Sequence, residues 1–415
     1  ATVKPGVGCI CHCDPTTMLR LVLATLALAS AEAMRSTAFR RPARSVASSV
    51  KASTAVTPLP ATVKPGVVSG KGLMDLLQHA KDNKYAIPAV NTVSSSAINA
   101  CLEAAKKFRS PIMVQFSRGG GQFIAGKEAD NTNDAACIAG CVAGALMVHQ
   151  TAKLYGVPVV LHTDHCQKSW LPWFDGLLEA NEKHYAIHGE PLFSSHMLDL
   201  SEEPLEENIA ICKKYLERMA KVDLLLEMEL GVTGGEEDGV DNTDVDNSLL
   251  YTQPEEVYEV YKALSSVEGG MFTIAAAFGN VHGVYAPGNV KLTPEILHNS
   301  QAYIKEQEGL DDDKPVFFVF HGGSGSSRED IRYAIEAGTI KMNIDTDTQW
   351  SYWDGIRAYE AEFHDYLQGQ IGNPEGETKP NKKYYDPRMP MRRAEEFTVK
   401  RLGEAMEDLN SAGKV

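Results

Sequence analysis

The stretch Val316–Asp345 has the sequence VFFVFHGGSGSSREDIRYAIEAGTIKMNID and contains one complete strand–loop–helix–strand unit. Val316–Phe320 is a short apolar run, and a glycine-rich loop follows it. Glu329–Ala337 shows helical spacing of apolar residues, and Thr339–Ile344 predicts a second strand. Strands joined through a helix run parallel in one sheet. This segment therefore predicts an α/β protein with a parallel sheet.

The same alternation of strand and helix repeats from about residue 71 onward. Amphipathic stretches such as Ala97–Phe108 and Leu205–Lys221 separate short apolar runs. Eight such units close naturally into a (β/α)8 TIM barrel, which we predict as a single domain over 68–415 with additional C-terminal helices. An open doubly wound sheet is the alternative, and no G-x-G-x-x-G fingerprint supports it. The predicted strands are Tyr85–Val90, Pro111–Phe116, Val157–Thr163, Leu192–Ser195, Val222–Leu230, Phe272–Phe278, Val316–Phe320 and Thr339–Ile344.

Composition excludes several classes of protein. The 415 residues include 43% hydrophobic residues, enough for a large buried core, so wholesale disorder is excluded. The net charge of −15 argues against binding to nucleic acid or to an anionic membrane, because phosphate groups favour basic surfaces. We therefore expect no nucleic-acid partner and no membrane association of the mature form.

The first 67 residues differ from the rest in charge, with eight basic and two acidic residues. Leu21–Ala29 is an apolar run too short to span a bilayer, and Ala31-Glu32-Ala33 fits a signal-peptidase site. Met34–Val67 contains no acidic residue, which is typical of an organelle transit peptide. We predict that 1–67 is a targeting leader, removed or disordered in the mature protein. A bipartite leader of this kind predicts a plastid location, with the cytosol as the alternative.

Polar residues follow or end every predicted strand. In a TIM barrel the carboxyl ends of all strands meet at one mouth, and that mouth carries the chemistry. The sequence therefore predicts an active site there. Its candidate residues, in chain order, are Asn91, Ser117, Asp164, His165, Ser195, Asp199, Glu229, Asn280, His282, His321, Asn343 and Asp345.

Three of these residues, His165, His282 and His321, predict a metal centre. Three imidazoles with one open position form the ligand set of a catalytic zinc site. Glu229 and Asp199 are expected on the same rim. A single one of these histidines would more often be a structural loop residue, but the set of three favours the metal.

Two loops add further candidates. The glycine-rich segment 321–327 precedes a helix, and its backbone N–H groups suit a phosphate, although a flexible turn with serine caps is the alternative. The acidic segment 234–247 begins with two glycines, which suits a mobile lid that carries Glu237 as an acid or base. The alternative for this second segment is a solvated surface loop.

Taken together, the motifs resemble those of class II, metal-dependent fructose-bisphosphate aldolases of the long type, from about residue 71 to 412. The fixed order of so many segments makes the resemblance specific. The matching segments are Pro88–Asn91 (PAVN), Val114–Ser117 (VQFS), Leu161–Cys166 (LHTDHC), Glu227–Gly231 (EMELG), Gly279–Gly283 (GNVHG), His321–Gly325 (HGGSG) and Asn381–Arg388 (NKKYYDPR).

The resemblance implies reversible cleavage of fructose 1,6-bisphosphate to dihydroxyacetone phosphate and glyceraldehyde 3-phosphate through a Zn²⁺-stabilised enediolate, in glycolysis, gluconeogenesis or the Calvin cycle. His165, His282 and His321 would bind Zn²⁺, and Glu229 would bind it or a second divalent metal together with Asp199. Glu237 would remove a proton from the ketone triose, and Asp164 would exchange one with the aldehyde oxygen.

The resemblance also implies how phosphorylated ketose and triose substrates bind. Asn91, Ser117 and Arg388 would contact the aldehyde half, with Arg388 reaching in from the neighbouring subunit of a homodimer. A K⁺-like monovalent ion is expected near Val281, Gly283 and Ser324. The residues implied for the ketone triose phosphate are Gly283, Gly322, Gly323, Ser324, Asn343, Ile344, Asp345 and Thr346.

The sequence is also compatible with other functions. Tagatose bisphosphate is an alternative substrate. A Schiff-base aldolase would need an interior lysine, and Lys341 qualifies by its alternation with Asn343 and Asp345, although an interior charge pair is the favoured interpretation. A metal-dependent hydrolase barrel would usually place H-x-H at the end of the first strand, where this chain has Asn91. A non-catalytic binding protein would be expected to have lost ligands or acids.

Overall fold

The computed structural model describes residues 57–237, 240–242, 250–283 and 291–415. Most of the predicted leader lies outside these ranges, so its removal and its targeting role stay predictions. Within them the strands, in chain order, are β1 (Gly66–Val67), β2 (Ile87–Asn91), β3 (Ile112–Phe116), β4 (Pro158–Thr163), β5 (Ser195–Leu198), β6 (Leu225–Leu230), β7 (Gly234–Glu237), β8 (Val240–Asn242), β9 (Met271–Ala276), β10 (Val281–His282), β11 (Phe318–Phe320), β12 (Thr339–Asn343), β13 (Ile371–Asn373) and β14 (Gly376–Pro380).

Eight of these strands form a closed parallel barrel. Around the barrel their order is β2, β3, β4, β5, β6, β9, β11 and β12, and β12 pairs with β2 to close the ring. All eight pairings are parallel, since each strand is joined to the next through an outer helix. The predicted TIM barrel is confirmed.

The fourth barrel strand differs from its predicted position. The sequence analysis placed it at Leu192–Ser195, whereas β5 begins at Ser195. At Ser194 the side-chain hydroxyl accepts the N–H of Leu161 at 2.9 Å, in place of a backbone carbonyl. The backbone N–H of Ser194 does donate to the carbonyl of Leu161 at 2.8 Å, but regular pairing with β4 begins at Ser195, which lies opposite His162. Ser195 lies inside the barrel at the start of the strand, so its predicted position at the mouth is wrong.

Helices surround the barrel, and one of them closes its amino end. Leu73, Leu76 and Leu77 of the first helix, α1 (Gly70–Asp82), pack beneath the strands with Ile87 and Val160 in a separate hydrophobic cluster. The helices are α1 (Gly70–Asp82), α2 (Ser95–Phe108), α3 (Arg118–Ala125), α4 (Ala135–Tyr155), α5 (Leu171–His188), α6 (Leu205–Met219), α7 (Pro254–Ser265), α8 (Glu295–Glu308), α9 (Arg328–Glu336), α10 (Thr346–Leu367), α11 (Lys382–Tyr385) and α12 (Arg388–Asp408).

The folded body includes residues upstream of 68. β1 pairs in parallel with the start of β4, Gly66 with Pro158 and Val67 with Val159. Val63 is also buried in the cluster around α1. The last part of the segment that we assigned to the leader thus packs against the barrel, because it extends the sheet beside β4.

The C-terminal segment supplies the predicted additional helices. α10 packs along α12, α12 contacts α2, and the β13–β14 hairpin lies between α10 and α11 in the chain. One helical segment, Thr132–Tyr155, is apolar and long enough to cross a bilayer. Its α4 part packs tightly on α3, since a Cβ at Gly140 would lie 1.7 Å from the carbonyl oxygen of Gly121. In this fold it serves as an outer barrel helix.

The interior of the barrel changes from apolar to polar toward the mouth. On β4 the inward positions are Val160 and His162, with Asp164 directly after the strand. On β6 they are Leu225, Glu227 and Glu229, all of them buried. Side chains alternate across a strand, so every second residue faces the interior. The polar end of this gradient is where the predicted site residues meet.

Candidate active site

His165, His282 and His321 come together at the mouth of the barrel. His165 follows β4, His282 ends β10 and His321 follows β11. The ring centroids are 5.2 Å apart for His165 and His282, 4.7 Å for His165 and His321, and 6.0 Å for His282 and His321. One ring nitrogen from each lies within 4.8 Å of the others. The structure thus brings the three predicted zinc ligands together.

A glycine allows the loops that carry two of these histidines to approach each other. Gly322, directly after His321, has a φ of +62°. A Cβ at this position would lie 2.5 Å from the carbonyl oxygen of Val281, the residue before His282. A side chain here would therefore force the two loops apart. This explains why glycine follows His321.

Carboxylates fix the orientation of two of the rings. Nε2 of His321 lies 2.9 Å from Oε1 of Glu227, and Nδ1 of His165 lies 3.1 Å from Oδ2 of Asp199. An ionised carboxylate only accepts hydrogen bonds, so these two ring nitrogens donate. The opposite nitrogens, Nδ1 of His321 and Nε2 of His165, then point toward the shared centre. Metal-binding histidines commonly show this arrangement.

The distance between these two inward nitrogens fits a metal. They are 3.1 Å apart. Two ligands of a tetrahedral Zn²⁺, each at about 2.0–2.1 Å, would be separated by about 3.3 Å. The donor chemistry and the spacing of the site therefore fit a zinc ion.

Glu227 was missed as a site residue by the sequence analysis, although it lies two positions before Glu229 on the same inward face of β6. Burial opposes its ionisation. The charge of Lys341 and the hydrogen bond from His321 outweigh this effect and hold the pKa of the Glu227 carboxyl below its usual value. Lys341 donates to Glu227 at 2.6 Å, which confirms the predicted interior charge pair. A Schiff-base lysine must instead offer a neutral amine.

Asp199 and Glu229 form a second potential cation site beside His165. Ligand atoms of these three residues lie within 4.8 Å of one another. Burial opposes ionisation of Asp199, but hydrogen bonds from His165 and Ser201 outweigh it and lower the pKa to about 2. Burial, reinforced by the charge of Asp199, raises the pKa of Glu229 well above its ordinary value. A cation beside both carboxylates would favour the ionised form of Glu229.

Asp164 is held by three amide groups at the base of the mouth. Its Oδ2 accepts from Asn91 at 3.0 Å and from Gln115 at 2.9 Å, and its Oδ1 accepts from Asn343 at 3.2 Å. Nδ2 of Asn343 also lies 3.1 Å from Nδ1 of His321. The sequence analysis missed Gln115, whose inward position on β3, two residues before Ser117, was the available signal. The carboxylate of Asp164 is thus rigidly oriented next to the metal ligands.

The glycine-rich loop after His321 has the features of an anion site. Ser327 caps α9 by accepting the N–H of Asp330 at 3.1 Å. Oγ of Ser324 is buried and has no hydrogen-bond partner among the described residues. A buried hydroxyl of this kind is usually satisfied by a ligand or a water. The loop therefore has an unpaired hydroxyl and a helix N-terminus that could donate to a phosphate, and phosphate binding there stays a prediction.

The residues after β12 do not all face the mouth. Asn343 contacts Asp164 and His321, and Thr346 begins α10. Ile344 instead packs its side chain into the outer hydrophobic core, and its N–H donates to the carbonyl of Ala89 at 2.9 Å. Ile344 therefore offers neither its side chain nor its N–H to a phosphate, because the sheet and the core already use both.

Asn91 and Ser117 line a cavity of about 530 Å³. Asp345, Phe123 and Tyr352 line the same cavity. Oγ of Ser117 accepts the N–H of Gly120 at 3.1 Å and so caps α3. Because Asn91 also donates to Asp164, this cavity adjoins the mouth of the barrel.

Arg388 is not brought to the mouth of its own barrel. Its side chain is 87% exposed, and it donates to Asp386 at 2.6 Å. The hydrogen bond to Asp386 raises the pKa of the guanidinium further. Its position in the site of a neighbouring subunit stays a prediction.

The acidic segment forms a hairpin where the sequence analysis predicted a loop. β7 pairs antiparallel with β8, Glu237 opposite Val240, and in parallel with β10, Gly235 opposite His282. The backbone of Glu237 is thus at the end of a hairpin attached to a metal-ligand strand. Its side chain and residues 243–249 lie outside the described part, so the acid–base role of Glu237 stays a prediction.

Comparisons with known proteins agree with this geometry. A sequence model of the family described as "Fructose-bisphosphate aldolase class-II" matches residues 71–414. A fructose-bisphosphate aldolase of Campylobacter jejuni is 58% identical over 352 residues, which are 85% of this chain and 98% of the relative. "Fructose-bisphosphate aldolase class 2" of Escherichia coli K12 is 56% identical over 350 residues, 84% of this chain and 97% of that protein.

A solved structure extends the agreement to three dimensions. The crystal structure of a fructose-bisphosphate aldolase from Campylobacter jejuni superimposes with a TM-score of 0.78 at 55% identity, and the match covers 85% of this chain and 98% of the other. Residues 71–414, which the family model matches, contain every predicted site residue from Asn91 to Arg388. On these grounds the chain belongs to the class-II fructose-bisphosphate aldolase family.

Proposed function

We propose that this aldolase uses Zn²⁺ held by His165, His282 and His321 to cleave fructose 1,6-bisphosphate reversibly. The observation that carries the proposal is the 3.1 Å separation of the inward nitrogens of His165 and His321, each ring held from behind by a carboxylate. When bound, such an ion supplies Lewis-acid polarisation of the ketone oxygen of the substrate. The name of the Escherichia coli relative supports fructose bisphosphate as the substrate.

Asp164 is the proposed proton carrier for the aldehyde half. In the cleavage direction its carboxylate accepts the proton of the hydroxyl whose oxygen becomes the aldehyde oxygen, and in condensation it returns that proton. The three amides from Asn91, Gln115 and Asn343 keep the carboxylate in one orientation. A positioned acid–base group contributes about 10²–10⁴-fold to the rate.

Glu237 is the proposed base for the ketone half, removing the methylene proton in the condensation direction. Its support is the pairing of its hairpin with β10, which ends in His282. The ketone triose phosphate would be bound by residues of the two loops after β10 and β11 and by residues at the end of β12. These are Gly283, Gly322, Gly323, Ser324, Asn343, and the backbone of Asp345 and Thr346. The same proposal includes a K⁺-like ion near the carbonyl groups of Val281, Gly283 and Ser324.

We also propose a homodimer in which Arg388 completes the aldehyde-phosphate site of the other subunit, with Asn91 and Ser117. The exposure of Arg388 supports this arrangement, and so do two exposed tryptophans of α10, Trp350 at 57% and Trp353 at 54%. Large exposed aromatic residues are typical of interfaces. Asp199 and Glu229 would hold a second divalent metal next to the first.

A plastid location is proposed from the leader composition alone, with the cytosol as the alternative. A fluorescent protein fused to the C-terminal end of residues 1–67 should accumulate in the plastids when it is produced in an alga. Uniform cytosolic fluorescence would reject this part of the proposal.

A coupled cleavage assay on fructose and tagatose bisphosphates, with and without chelator, tests the central proposal. We expect cleavage of fructose 1,6-bisphosphate that is lost on chelation and restored by Zn²⁺. Borohydride added with substrate should not inactivate the enzyme, because no Schiff base forms. Activity that persists in protein shown to be metal-free would contradict the zinc centre, and faster cleavage of the tagatose compound would correct the substrate.

A further inference from the structure

A buried ion pair lies inside the barrel directly beneath the proposed metal centre. Nζ of Lys341 on β12 donates to Oε1 of Glu227 on β6 at 2.6 Å, and both side chains are at most 2% exposed. The same oxygen accepts from Nε2 of His321 at 2.9 Å. One carboxylate oxygen thus joins the lysine to a metal ligand.

The ammonium of Lys341 has a second contact that fixes its position. It lies 3.4 Å from Nε2 of His162, whose Nδ1 lies 2.8 Å from Oγ of Ser195. Lysine only donates hydrogen bonds, so Nε2 of His162 accepts and its Nδ1 donates to Ser195. The direction of every hydrogen bond from Ser195 to His321 is therefore determined. This chain of hydrogen bonds crosses the barrel interior, and its members lie on β5, β4, β12, β6 and the loop after β11.

Stability alone does not explain a charge pair at this depth. Removing two charges from water is costly, and replacing a buried pair with apolar residues is often neutral or stabilising. The interior of a TIM barrel is usually filled with branched apolar residues. Here one member of the pair, Glu227, directly contacts the proposed metal ligand His321. A carboxylate that orients such a ligand must itself be held in place.

We propose that Lys341 is a positioning residue for the metal centre. Its ammonium fixes the Glu227 carboxylate, and the carboxylate fixes the orientation of His321 so that Nδ1 points at the metal. Lys341 contacts neither substrate nor metal in this role. The inference rests on the proposed zinc centre and adds a residue that acts on it through two others.

The first test measures Zn²⁺ affinity of the full chain by competition with a chromophoric chelator. Loss of a residue behind a metal ligand typically weakens metal binding about 10–100-fold, so Lys341→Met should weaken it by about tenfold or more. Glu227→Gln should weaken it at least as much. Because Lys341 acts through Glu227, the double variant should be no weaker than Glu227→Gln alone.

Lys81 provides a matched control within the same chain. Its side chain is 5% exposed, and it donates to Asp312 at 2.9 Å and to the carbonyl of Lys314 at 2.6 Å, away from the mouth. Lys81→Met should lower stability without changing Zn²⁺ affinity. The visible ligand-field spectrum of the Co²⁺-substituted protein should change in Lys341→Met and stay as in wild type in Lys81→Met. A purely structural lysine would not produce this difference.

Three results would overturn the inference. One is wild-type Zn²⁺ affinity and an unchanged Co²⁺ spectrum in Lys341→Met. Another is full additivity of the Lys341 and Glu227 substitutions. If the Lys341 variant fails to fold, a crystal structure of the zinc-loaded wild-type protein tests the inference instead. A zinc ion bound to Nε2 of His321, and not to Nδ1, would show that Glu227 does not orient the ring as proposed. Wild-type protein that binds no Zn²⁺ would refute the proposed zinc centre itself. That outcome differs from a failure of the Lys341 inference, in which wild type binds Zn²⁺ and the variant binds it equally well.

Discussion

Replacing Asp164 with alanine should abolish most of the turnover while leaving the metal in place. If the carboxylate carries the aldehyde-oxygen proton, its loss removes about 10²–10⁴-fold in kcat, equivalent to about 2.7–5.4 kcal/mol of activation free energy. Asp164 is in neither group of clustered metal-ligating residues. Zinc content should therefore stay close to that of wild type.

The structure also predicts a cost in stability for this variant. Asn91, Gln115 and Asn343 each lose the acceptor of a hydrogen bond. A buried donor left without a partner costs about 1–3 kcal/mol, and less where water enters the mouth. We expect a lower midpoint of urea unfolding at a temperature where the variant is still folded.

Asp164→Asn removes the negative charge of the side chain but keeps its size and shape, whereas Asp164→Ala removes both. Its amide oxygen would take the place of Oδ2, where two donors converge, and its amide nitrogen would then face Nδ2 of Asn343. Rotating the Asn343 amide would relieve this clash of donors. The asparagine variant should therefore lose turnover as the alanine variant does, because its amide cannot accept the proton, while it keeps more of the hydrogen bonds around the side chain.

The assay combines steady-state cleavage of fructose 1,6-bisphosphate with zinc content by atomic emission. Asp175→Ala serves as the control, because it removes a half-exposed carboxylate that pairs with Arg218 on the outer helices. The control should keep wild-type turnover. Metal-free Asp164→Ala protein would mean that Asp164 supports the metal, and turnover within tenfold of wild type would refute its role in proton transfer.

Three further predictions concern the metal, the hairpin and the loop. His282→Ala should lose bound zinc and nearly all activity because an open zinc site needs three protein ligands; near-normal turnover without metal would reject the site. Glu237→Gln should slow exchange of the methylene proton of dihydroxyacetone phosphate with solvent while zinc stays bound, and wild-type exchange would mean that another residue is the base. Gly322→Ala should separate the loops of His282 and His321, since its Cβ would lie 2.5 Å from the Val281 carbonyl, and should weaken zinc binding. Unchanged zinc affinity in a chelator competition would show that the loops adjust freely.

Much of the site could be predicted because, in a closed parallel barrel, a residue's position at the end of a strand already tells at which end of the barrel it lies. Once the strands are known to be parallel and closed, their carboxyl ends must meet, whatever the sequence distance between them. His165 and His321 are 156 residues apart, yet their facing nitrogens are 3.1 Å apart. Knowing only that each follows a strand was enough to bring them together.

Other features depend on contacts that no local pattern encodes. Alternation places Gln115 and Glu227 on inward faces, but it does not give the stagger between neighbouring strands that sets their height in the barrel. The start of β5 depends on one hydroxyl, that of Ser194, replacing a backbone carbonyl. The hairpin that carries Glu237 pairs with β10, which lies more than 40 residues further along the chain.

The sequence by itself determined the class of the fold, the end of the barrel that carries the chemistry and the residue types gathered there. These follow from local periodicity and from the geometry shared by all parallel barrels. Only the tertiary structure decided which nitrogen of each histidine faces inward, that Glu227 lies between His321 and Lys341, and that Ile344 belongs to the core. Hydrogen-bond direction and burial depend on distances of a few ångströms between distant strands, and those distances arise only when the whole barrel closes.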